Sequence, residues 1–218
     1  MSRGADGGRR PVRARSASSA RWIRRQLADP YVRRAQAEGW RSRAAFKLME
    51  LDDRFGLLRG VRGVLDLGAA PGSWSQVVRA RAPAARVVAV DRLEMAPIEE
   101  VEVLRLDLLE TDAAEAVAAA LRGPVDLVLS DMAANTVGHA RTDHLRTMAL
   151  VEAAAGLAVE VLAPGGAFVA KLLAGGTEPE LLAELKRRFA DVRHAKPPAS
   201  RKESRETYVV ARGFRPVT

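Results

Sequence analysis

The stretch that decides the fold is Val64-Leu65-Asp66-Leu67-Gly68-Ala69-Ala70-Pro71-Gly72-Ser73-Trp74-Ser75-Gln76. An apolar run typical of a buried strand ends in a turn that contains two glycines, and the residues after the turn begin a helix. Gly68 allows the backbone to turn sharply, and Gly72 allows a ligand to approach the main chain without meeting a Cβ atom. The stretch therefore predicts the nucleoside- or phosphate-binding corner of a doubly wound α/β fold.

The same turn indicates which ligand the corner accepts. It does not match the dinucleotide fingerprint G-x-G-x-x-G, because Ala70 stands where the second glycine would be. A pyrophosphate would press on the backbone at that position, so the alanine disfavours a nicotinamide dehydrogenase. The corner favours S-adenosylmethionine, a nucleoside ligand without a pyrophosphate. An ordinary tight turn between strand and helix is the alternative interpretation.

Length and composition limit the possible classes of protein. The 218 residues, 48% of them hydrophobic, suffice for one large α/β domain, and no run reaches the roughly 18 apolar residues of a membrane span. The N-terminal residues lead into arginines rather than an apolar stretch, so we expect neither a secretory signal nor a membrane association. The absence of cysteine fits a cytoplasmic location and excludes thiol catalysis and thiolate zinc sites. We expect a monomer without a metal.

Positive charge is concentrated near the N-terminus. Residues 1–43 contain twelve arginines and three acidic residues, whereas the whole chain has a net charge of +8. Trp22, Tyr31 and Trp40 lie among these arginines, and such a mixture suits a phosphate backbone with stacking bases. We therefore predict a flexible basic tail over residues 1–18, a basic RNA-binding arm over 19–43 and a catalytic domain over 44–218. A solubilising tail is the alternative for residues 1–18.

Strand and helix patterns alternate along the chain. They predict short helices at 20–28 and 31–38, separated by Asp29-Pro30, and a helix over 42–51 capped by Ser42. Strands are predicted at 64–67, 86–90, 101–106, 125–130, 167–171, 191–194 and 207–211, with helices at 74–81, 110–121, 143–162 and 178–189. This order predicts a single doubly wound, mostly parallel sheet of seven strands with a hairpin-like pair at the end.

Candidate site residues lie where the predicted strands end, since ligands of such sheets gather at the carboxyl ends of the strands. Asp91 ends the second strand, 19 residues after Gly72, a position suited to ribose hydroxyls. Asp107 follows the third strand and suits an adenine amino group. Asp131 follows the fourth strand, and Lys171 ends the fifth. A turn or helix-cap role for Asp91 and Asp107 and a surface position for Lys171 are the alternatives.

Five ordered segments together carry a family resemblance. From residue 20 to 214 the chain resembles the FtsJ-type ribosomal RNA ribose 2′-O-methyltransferases, and Ser73 is a departure where that family commonly has glycine. The matching segments are Ser42-Arg43-Ala44-Ala45-Phe46-Lys47-Leu48, residues 65–76, Leu129-Ser130-Asp131-Met132-Ala133-Ala134-Asn135, Phe168-Val169-Ala170-Lys171, and residues 196–201 with Ser204-Arg205-Glu206-Thr207-Tyr208.

The resemblance implies a Rossmann-like class I methyltransferase and its site residues. The catalytic set would be Lys47, Asp131, Lys171 and Glu206. The S-adenosylmethionine site would comprise Gly68, Gly72, Trp74, Asp91, Asp107 and Asp131. The implied substrate is a uridine ribose in the A loop of large-subunit rRNA, within the ribosomal large subunit.

Chemistry supports such a catalytic set. A ribose hydroxyl must lose a proton during methylation, and a lysine acts as a base near neutral pH when burial or a second cation lowers its pKa. Lys171 would be that base, Lys47 the second cation, and the carboxylates of Asp131 and Glu206 would orient both ammonium groups. Those carboxylates favour the protonated form of lysine. The alternative is therefore that the enzyme accelerates the reaction mainly by positioning the reactants.

Other functions remain possible. A base N-methyltransferase is disfavoured, because Ser130-Asp131-Met132-Ala133 is not the Asn/Asp-Pro-Pro-aromatic motif typical of that chemistry. A ribose methyltransferase acting on the anticodon loop of transfer RNA would carry the same catalytic set. A ribosome-assembly factor that binds RNA is a third alternative.

Overall fold

The structure is a computed structural model that describes residues 29–134, 140–173 and 179–216. The predicted tail (residues 1–18) and the predicted helix at 20–28 lie outside these ranges. Within them, none of the helices combines the length and the apolar character needed to cross a bilayer.

Six helices and seven strands alternate in the described ranges. The helices are α1 (Pro30–Glu38), α2 (Ala44–Phe55), α3 (Ser73–Arg81), α4 (Ala113–Leu121), α5 (Ala140–Val161) and α6 (Pro179–Arg188). The strands are β1 (Gly63–Leu67), β2 (Arg86–Asp91), β3 (Val101–Arg105), β4 (Val125–Ser130), β5 (Leu162–Leu173), β6 (Phe189–Ala195) and β7 (Glu206–Phe214).

The strands form one sheet in the order β3-β2-β1-β4-β5-β7-β6. All neighbours from β3 to β5 are parallel, and β7 runs antiparallel to both β5 and β6. The predicted α/β class and the single mostly parallel seven-stranded sheet are therefore confirmed. The predicted hairpin-like pair is present, but β7 lies inside the sheet between β5 and β6.

Strand register aligns the carboxyl ends of the central strands. Leu67 of β1 pairs with Val90 of β2 and with Ser130 of β4, and Ser130 pairs with Ala170 of β5. The residues that follow these positions therefore emerge at one edge of the sheet. The chain order reverses between β1 and β4, and an open α/β sheet forms its ligand crevice at such a reversal.

Apolar side chains cover both faces of the sheet. Leu65 and Leu67 of β1 belong to a cluster that includes Val117 of α4 and Leu185 of α6, while Val64 belongs to a cluster on the other face. That second cluster contains residues of α2 and α3, among them Leu48, Leu51, Trp74 and Val77. Because β1 side chains alternate between the two faces, and both faces are covered, all five residues of β1 are buried.

Some element boundaries differ from the predicted ones. Helix α2 begins at Ala44, not at residue 42, and extends to Phe55, where Gly56 in the left-handed region ends it. The Ser42 hydroxyl accepts from the Ala44 amide and also bonds the Ser73 hydroxyl at 2.7 Å. Ser42 therefore joins the start of α2 to the start of α3. Strand β5 begins at Leu162 and α4 begins at Ala113, so the predicted strand was too short and the predicted helix too long.

Residues 29–43 pack onto the α/β domain. Asp29 caps α1 by accepting from the Tyr31 amide at 3.0 Å, and it forms ion pairs of 3.1 Å with Arg43 and with Arg201 of the β6–β7 loop. The Tyr31 hydroxyl donates to Glu50 of α2 at 3.0 Å. These contacts attach residues 29–43 to the α/β domain, and the predicted domain boundary at residue 44 stays a prediction.

Replacement of Asp29 tests this attachment. We expect Asp29→Ala to lower the free energy of unfolding by about 2–4 kcal/mol, because the helix cap is lost and two partly buried guanidinium groups lose their carboxylate. Asp29→Asn keeps the capping oxygen and should lose less. Urea denaturation measures both. The control is Asp53→Asn, which removes an exposed partner of Arg81 and should change stability by less than about 1 kcal/mol. Equal stability of Asp29→Ala and wild type would contradict the attachment.

Candidate active site

A cavity of about 270 Å³ opens at the carboxyl ends of the central strands. Its wall is formed by the segments that follow β1, β2, β3 and β4, and its polar members include Asp91, Asp107 and Asp131. Leu106, Leu108, Met132 and Leu150 are among its apolar members. Small-molecule sites commonly range from about 300 to 1,000 Å³, so this volume favours a ligand of nucleoside size over a dinucleotide.

Gly68 shapes the wall of the cavity. Its φ of +73° lies in the left-handed region, and a Cβ atom there would come within 2.4 Å of the Met132 side chain. Only glycine fits both conditions, so the prediction that Gly68 serves a sharp turn is confirmed. The consequence is close contact between the loop after β1 and the segment after β4.

Asp91 and Asp107 line the cavity and also hold its walls. Asp91 accepts from the Ala70 amide at 2.9 Å through Oδ2 and from the Leu93 amide at 2.8 Å through Oδ1. Asp107 accepts from the Leu109 amide at 3.1 Å. A carboxylate oxygen can accept more than one hydrogen bond, so the turn role and a binding role are compatible. Contact of these residues with a cofactor stays a prediction.

Gly72 and Trp74 lie outside the lining of the cavity. A Cβ atom on Gly72 would meet side chains of this protein, Ile98 at 2.7 Å and the Arg41 guanidinium at 2.8 Å, and no open ligand space. The Trp74 indole is buried and donates to the Ala44 carbonyl at 2.8 Å. Side chains of the protein therefore fill the space beside Gly72, and the place of Gly72 and Trp74 in a cofactor site stays a prediction.

Four charged side chains meet beside the cavity. Lys171 Nζ lies 3.1 Å from Asp131 Oδ1 and donates to the Asp131 carbonyl at 2.5 Å. Lys47 Nζ lies 3.8 Å from Asp131 Oδ2 and donates to Glu206 Oε2 at 3.2 Å. The structure thus brings together all four predicted catalytic residues, from α2, β5, β7 and the end of β4. Their formal charges cancel, as the burial of both lysines requires.

Tyr208 is a fifth member that the sequence analysis did not assign. Its hydroxyl donates to Asp131 Oδ1 at 2.6 Å, and its buried ring packs 5.8 Å from that of Trp74. Tyr208 pairs with Lys171 in the β5–β7 register and lies two residues after Glu206, so both β7 residues face the same side. That period of two was the available sequence signal.

The surroundings fix the protonation of the two acidic groups at the centre. Burial alone would raise the pKa of Asp131, but the charges of Lys171 and Lys47 and the Tyr208 hydrogen bond lower this pKa below its usual range. Burial and the Asp131 charge raise the pKa of Tyr208 well above its usual value. Near neutral pH the pair therefore consists of an ionised Asp131 and a neutral hydroxyl donor.

A second buried carboxyl lies below this site. Asp66 of β1 is 1% exposed and accepts from the Ser75 hydroxyl at 2.6 Å. Burial raises the pKa of Asp66 to about 7. The Ser75 hydrogen bond lowers this pKa, whereas the negative charges of Asp131 and Asp91 raise it further. Asp66 therefore changes its ionisation near neutral pH inside the strand that leads to Gly68.

Comparisons with known proteins agree with this geometry. The model of the FtsJ-like methyltransferase family matches residues 40–214. The chain belongs to the FtsJ-like methyltransferase family. Among curated relatives, a protein of Novosphingobium aromaticivorans named ribosomal RNA large subunit methyltransferase E is 65% identical over 94% of this chain and 92% of its own length. A protein of the same name from Rhizorhabdus wittichii is 60% identical over 99% of this chain and 95% of its own length.

Solved structures show the same fold. One from Plasmodium falciparum, bearing the name of a ribosomal RNA methyltransferase, has a TM-score of 0.72 and 29% identity, and covers 80% of this chain and 98% of that chain. A Burkholderia thailandensis protein of an O-methyltransferase family has a TM-score of 0.52 and 15% identity, covering 91% of this chain and 62% of that chain, which indicates the fold alone. In residues 29–134, 140–173 and 179–216, no group of three or more His, Cys, Asp or Glu could hold a metal ion.

Asp66 generates a prediction about pH. The pKa of Asp66 is about 7 in the folded protein and has its ordinary value of 3.8 in the unfolded chain. Between these two pH values the folded protein therefore retains a proton that the unfolded chain has lost. Its contribution to stability is complete below pH 4 and is lost as pH rises towards 7. Asp66→Asn, which cannot ionise, should gain about 1–3 kcal/mol relative to wild type between pH 5 and pH 8. Urea denaturation across this range measures the difference. A constant difference would mean that Asp66 is already ionised in the folded protein at pH 5.

Proposed function

We propose that this protein transfers a methyl group from S-adenosylmethionine to the 2′-oxygen of a uridine ribose in the A loop of large-subunit rRNA. The observation that carries the proposal is the cluster of Lys47, Asp131, Lys171 and Glu206 beside a nucleoside-sized cavity. The names of the relatives support large-subunit rRNA as the substrate. The resemblance of the sequence motifs supports the ribose 2′-oxygen as the acceptor and the A loop as the location.

The cavity residues fit such a cofactor. Asp91 would accept hydrogen bonds from ribose hydroxyls and Asp107 from an adenine amino group, while Leu106 and Leu108 would contact the base. The Gly68–Ala70 loop would contact the methionine end. When bound, S-adenosylmethionine supplies an electrophilic methyl group on a sulfonium sulfur.

The charged cluster would prepare the acceptor hydroxyl. In its neutral amine form, after giving one proton to solvent, Lys171 Nζ would accept the 2′-hydroxyl proton as the methyl group leaves the sulfonium sulfur for the 2′-oxygen. The Asp131 carboxylate and carbonyl fix the position of Nζ. Lys47 places a second positive charge beside Asp131, and Glu206 holds Lys47 in this position. Tyr208 fixes the Asp131 carboxylate, so all four groups keep one arrangement for an approaching ribose.

Transfer RNA is the second candidate substrate, because the same cluster would methylate any ribose. The test incubates the protein with labelled S-adenosylmethionine and, separately, free large-subunit rRNA, whole large subunits and transfer RNA. We expect label in the large-subunit RNA, in a dinucleotide that resists alkali because a 2′-O-methyl group blocks backbone cleavage. Label in transfer RNA alone would overturn the substrate, and label in alkali-sensitive mononucleotides would overturn the acceptor atom.

Substitution of Lys171 tests its role as base. Lys171→Ala should lower turnover by roughly 10²–10⁴-fold while cofactor affinity stays near wild type, since the lost interaction serves the transfer step. Lys171→Arg should also be poor, because guanidinium keeps its proton near neutral pH. Turnover and calorimetric affinity are measured with exposed Lys186→Ala as control. Turnover of Lys171→Ala within threefold of wild type would exclude a base role.

The basic N-terminal residues generate a prediction about RNA affinity. Residues 1–28 contain eight arginines and one aspartate, and their removal spares Asp29 and its ion pairs. We expect the truncated protein to bind RNA more weakly and with a smaller salt slope, by about 0.7 per lost phosphate contact on single strands. Removal of residues 1–18 alone should reduce the slope less, since Arg21, Arg24 and Arg25 remain. An unchanged slope after the longer deletion would locate the RNA surface elsewhere, and unchanged cofactor affinity is the folding control.

A further inference from the structure

Arg41 lies in the segment that composition assigned to RNA binding, yet its guanidinium forms hydrogen bonds with main-chain carbonyls of the same protein. Nη1 donates to the Pro71 carbonyl at 2.8 Å and to the Ala96 carbonyl at 2.6 Å, and Nη2 donates to the Pro97 carbonyl at 2.6 Å. The Arg41 main-chain amide donates to the Gln76 side chain at 2.8 Å. One residue thus joins the start of α2 to two separate loops and to α3.

The two loops that Arg41 joins are walls of the cavity. Pro71 belongs to the β1–α3 loop, which begins with Gly68 and contains Ala70. Ala96 and Pro97 belong to the β2–β3 connection, whose first residues after Asp91 also line the cavity. The guanidinium therefore connects the two walls from behind, without lining the cavity itself.

The contact between Arg41 and these loops is close. A Cβ atom on Gly72 would come within 2.8 Å of Arg41 Nη1 and within 2.9 Å of the Met95 sulfur. The guanidinium therefore fits in its place because residue 72 has no side chain. Met95 is buried, and it packs with Ala69 and Ile98 below the same loops. This explains why the second glycine of the turn does not face the cavity.

The geometry demands arginine. Three carbonyls on two loops are reached by one planar fork, whose donor directions are fixed by its covalent structure. A lysine ammonium is a compact group and cannot reproduce the fork across both loops. Three of the five guanidinium N–H donors are engaged by these carbonyls, so the side chain is poorly available to RNA.

We propose that Arg41 is a positioning residue of the cofactor site, which holds the β1–α3 and β2–β3 loops in the arrangement that binds the methyl donor. The identity of that ligand rests on the function proposed above. The contacts of Arg41 with the two loops do not depend on the identity of the ligand, because both loops carry residues that line the cavity. Arg41 thereby differs from Arg33, an exposed arginine of α1 at the same end of the chain.

The experiment compares Arg41→Ala and Arg41→Lys with Arg33→Ala in the full-length protein. We expect both Arg41 variants to bind S-adenosylmethionine at least tenfold more weakly by calorimetry and to show a raised KM for it, with turnover at saturating cofactor within threefold of wild type. RNA affinity and its salt slope should stay within twofold. Arg33→Ala should leave cofactor affinity unchanged and lower the RNA slope if the basic segment contacts phosphate.

Hydrogen exchange of the ligand-free variants provides a second measurement that does not depend on the proposed function. Amides of residues 68–72 and 92–98 should exchange at least tenfold faster in Arg41→Lys than in wild type and in Arg33→Ala, while β4 and β5 amides keep their protection. This locates the effect in the two loops and excludes general unfolding.

Cofactor affinity within twofold of wild type, or unchanged exchange of both loops, would overturn the positioning role of Arg41. A reduced RNA salt slope with unchanged cofactor affinity would make Arg41 a phosphate contact. If wild type itself binds no S-adenosylmethionine, the proposed function fails, and the exchange data alone decide whether Arg41 holds the loops.

Discussion

Two lysines can be buried side by side in this protein only because Asp131 lies between them. Removing an ammonium group from water costs several kcal/mol unless an opposite charge replaces the lost hydration, and here one carboxylate is within 4 Å of both. This requirement links elements far apart in the chain. Helix α2 must present Lys47 at the end of β4, and β7 must lie beside β5 so that Glu206 and Tyr208 reach the same point. The sheet order and the packing of α2 are both conditions for neutral net charge in the cluster.

Arginines that are close together in sequence have different contacts in the structure. Arg41 contacts the two loops behind the cavity. Arg43 contacts the Ala199 carbonyl of the β6–β7 loop and pairs with Asp29, which also pairs with Arg201 of that loop. Composition could not separate them from the exposed Arg33, since an excess of charge says nothing about which guanidinium finds carbonyls or a carboxylate inside the fold. The segment after α1 therefore contacts both the loops behind the cavity and the β6–β7 loop.

Local signals predicted the parts of the molecule that depend on neighbours in sequence. The run of β1 before Gly68 was found from its local pattern. The polar residues at or just after the carboxyl ends of β2, β3 and β4, and Lys171 near the end of β5, were found because the ends of parallel strands share one edge of the sheet. Tyr208 and Arg41 were missed because their partners lie 77 and up to 56 residues away. The period of two in β7 places Tyr208 on the same side as Glu206 but does not record its contact with Asp131, and Arg41 had no such local signal. The start of α2 was misplaced for a similar reason. Ser42 has the chemistry of a cap, but its hydroxyl also serves Ser73 across the fold.

The position of β7 inside the sheet has a consequence for biosynthesis. Among the described strands β7 comes last in chain order, yet it lies between β5 and β6 and pairs with both. During translation from the N-terminus, β5 exposes an unpaired apolar edge until residues 206–214 have left the ribosomal tunnel. Glu206 and Tyr208 travel on that same strand, so a nascent chain can complete its first five strands while the lysines still lack part of their setting. Emergence of residues 206–214 would thus complete the sheet and the charged cluster in one step, and a chain that stops before residue 206 would lack both.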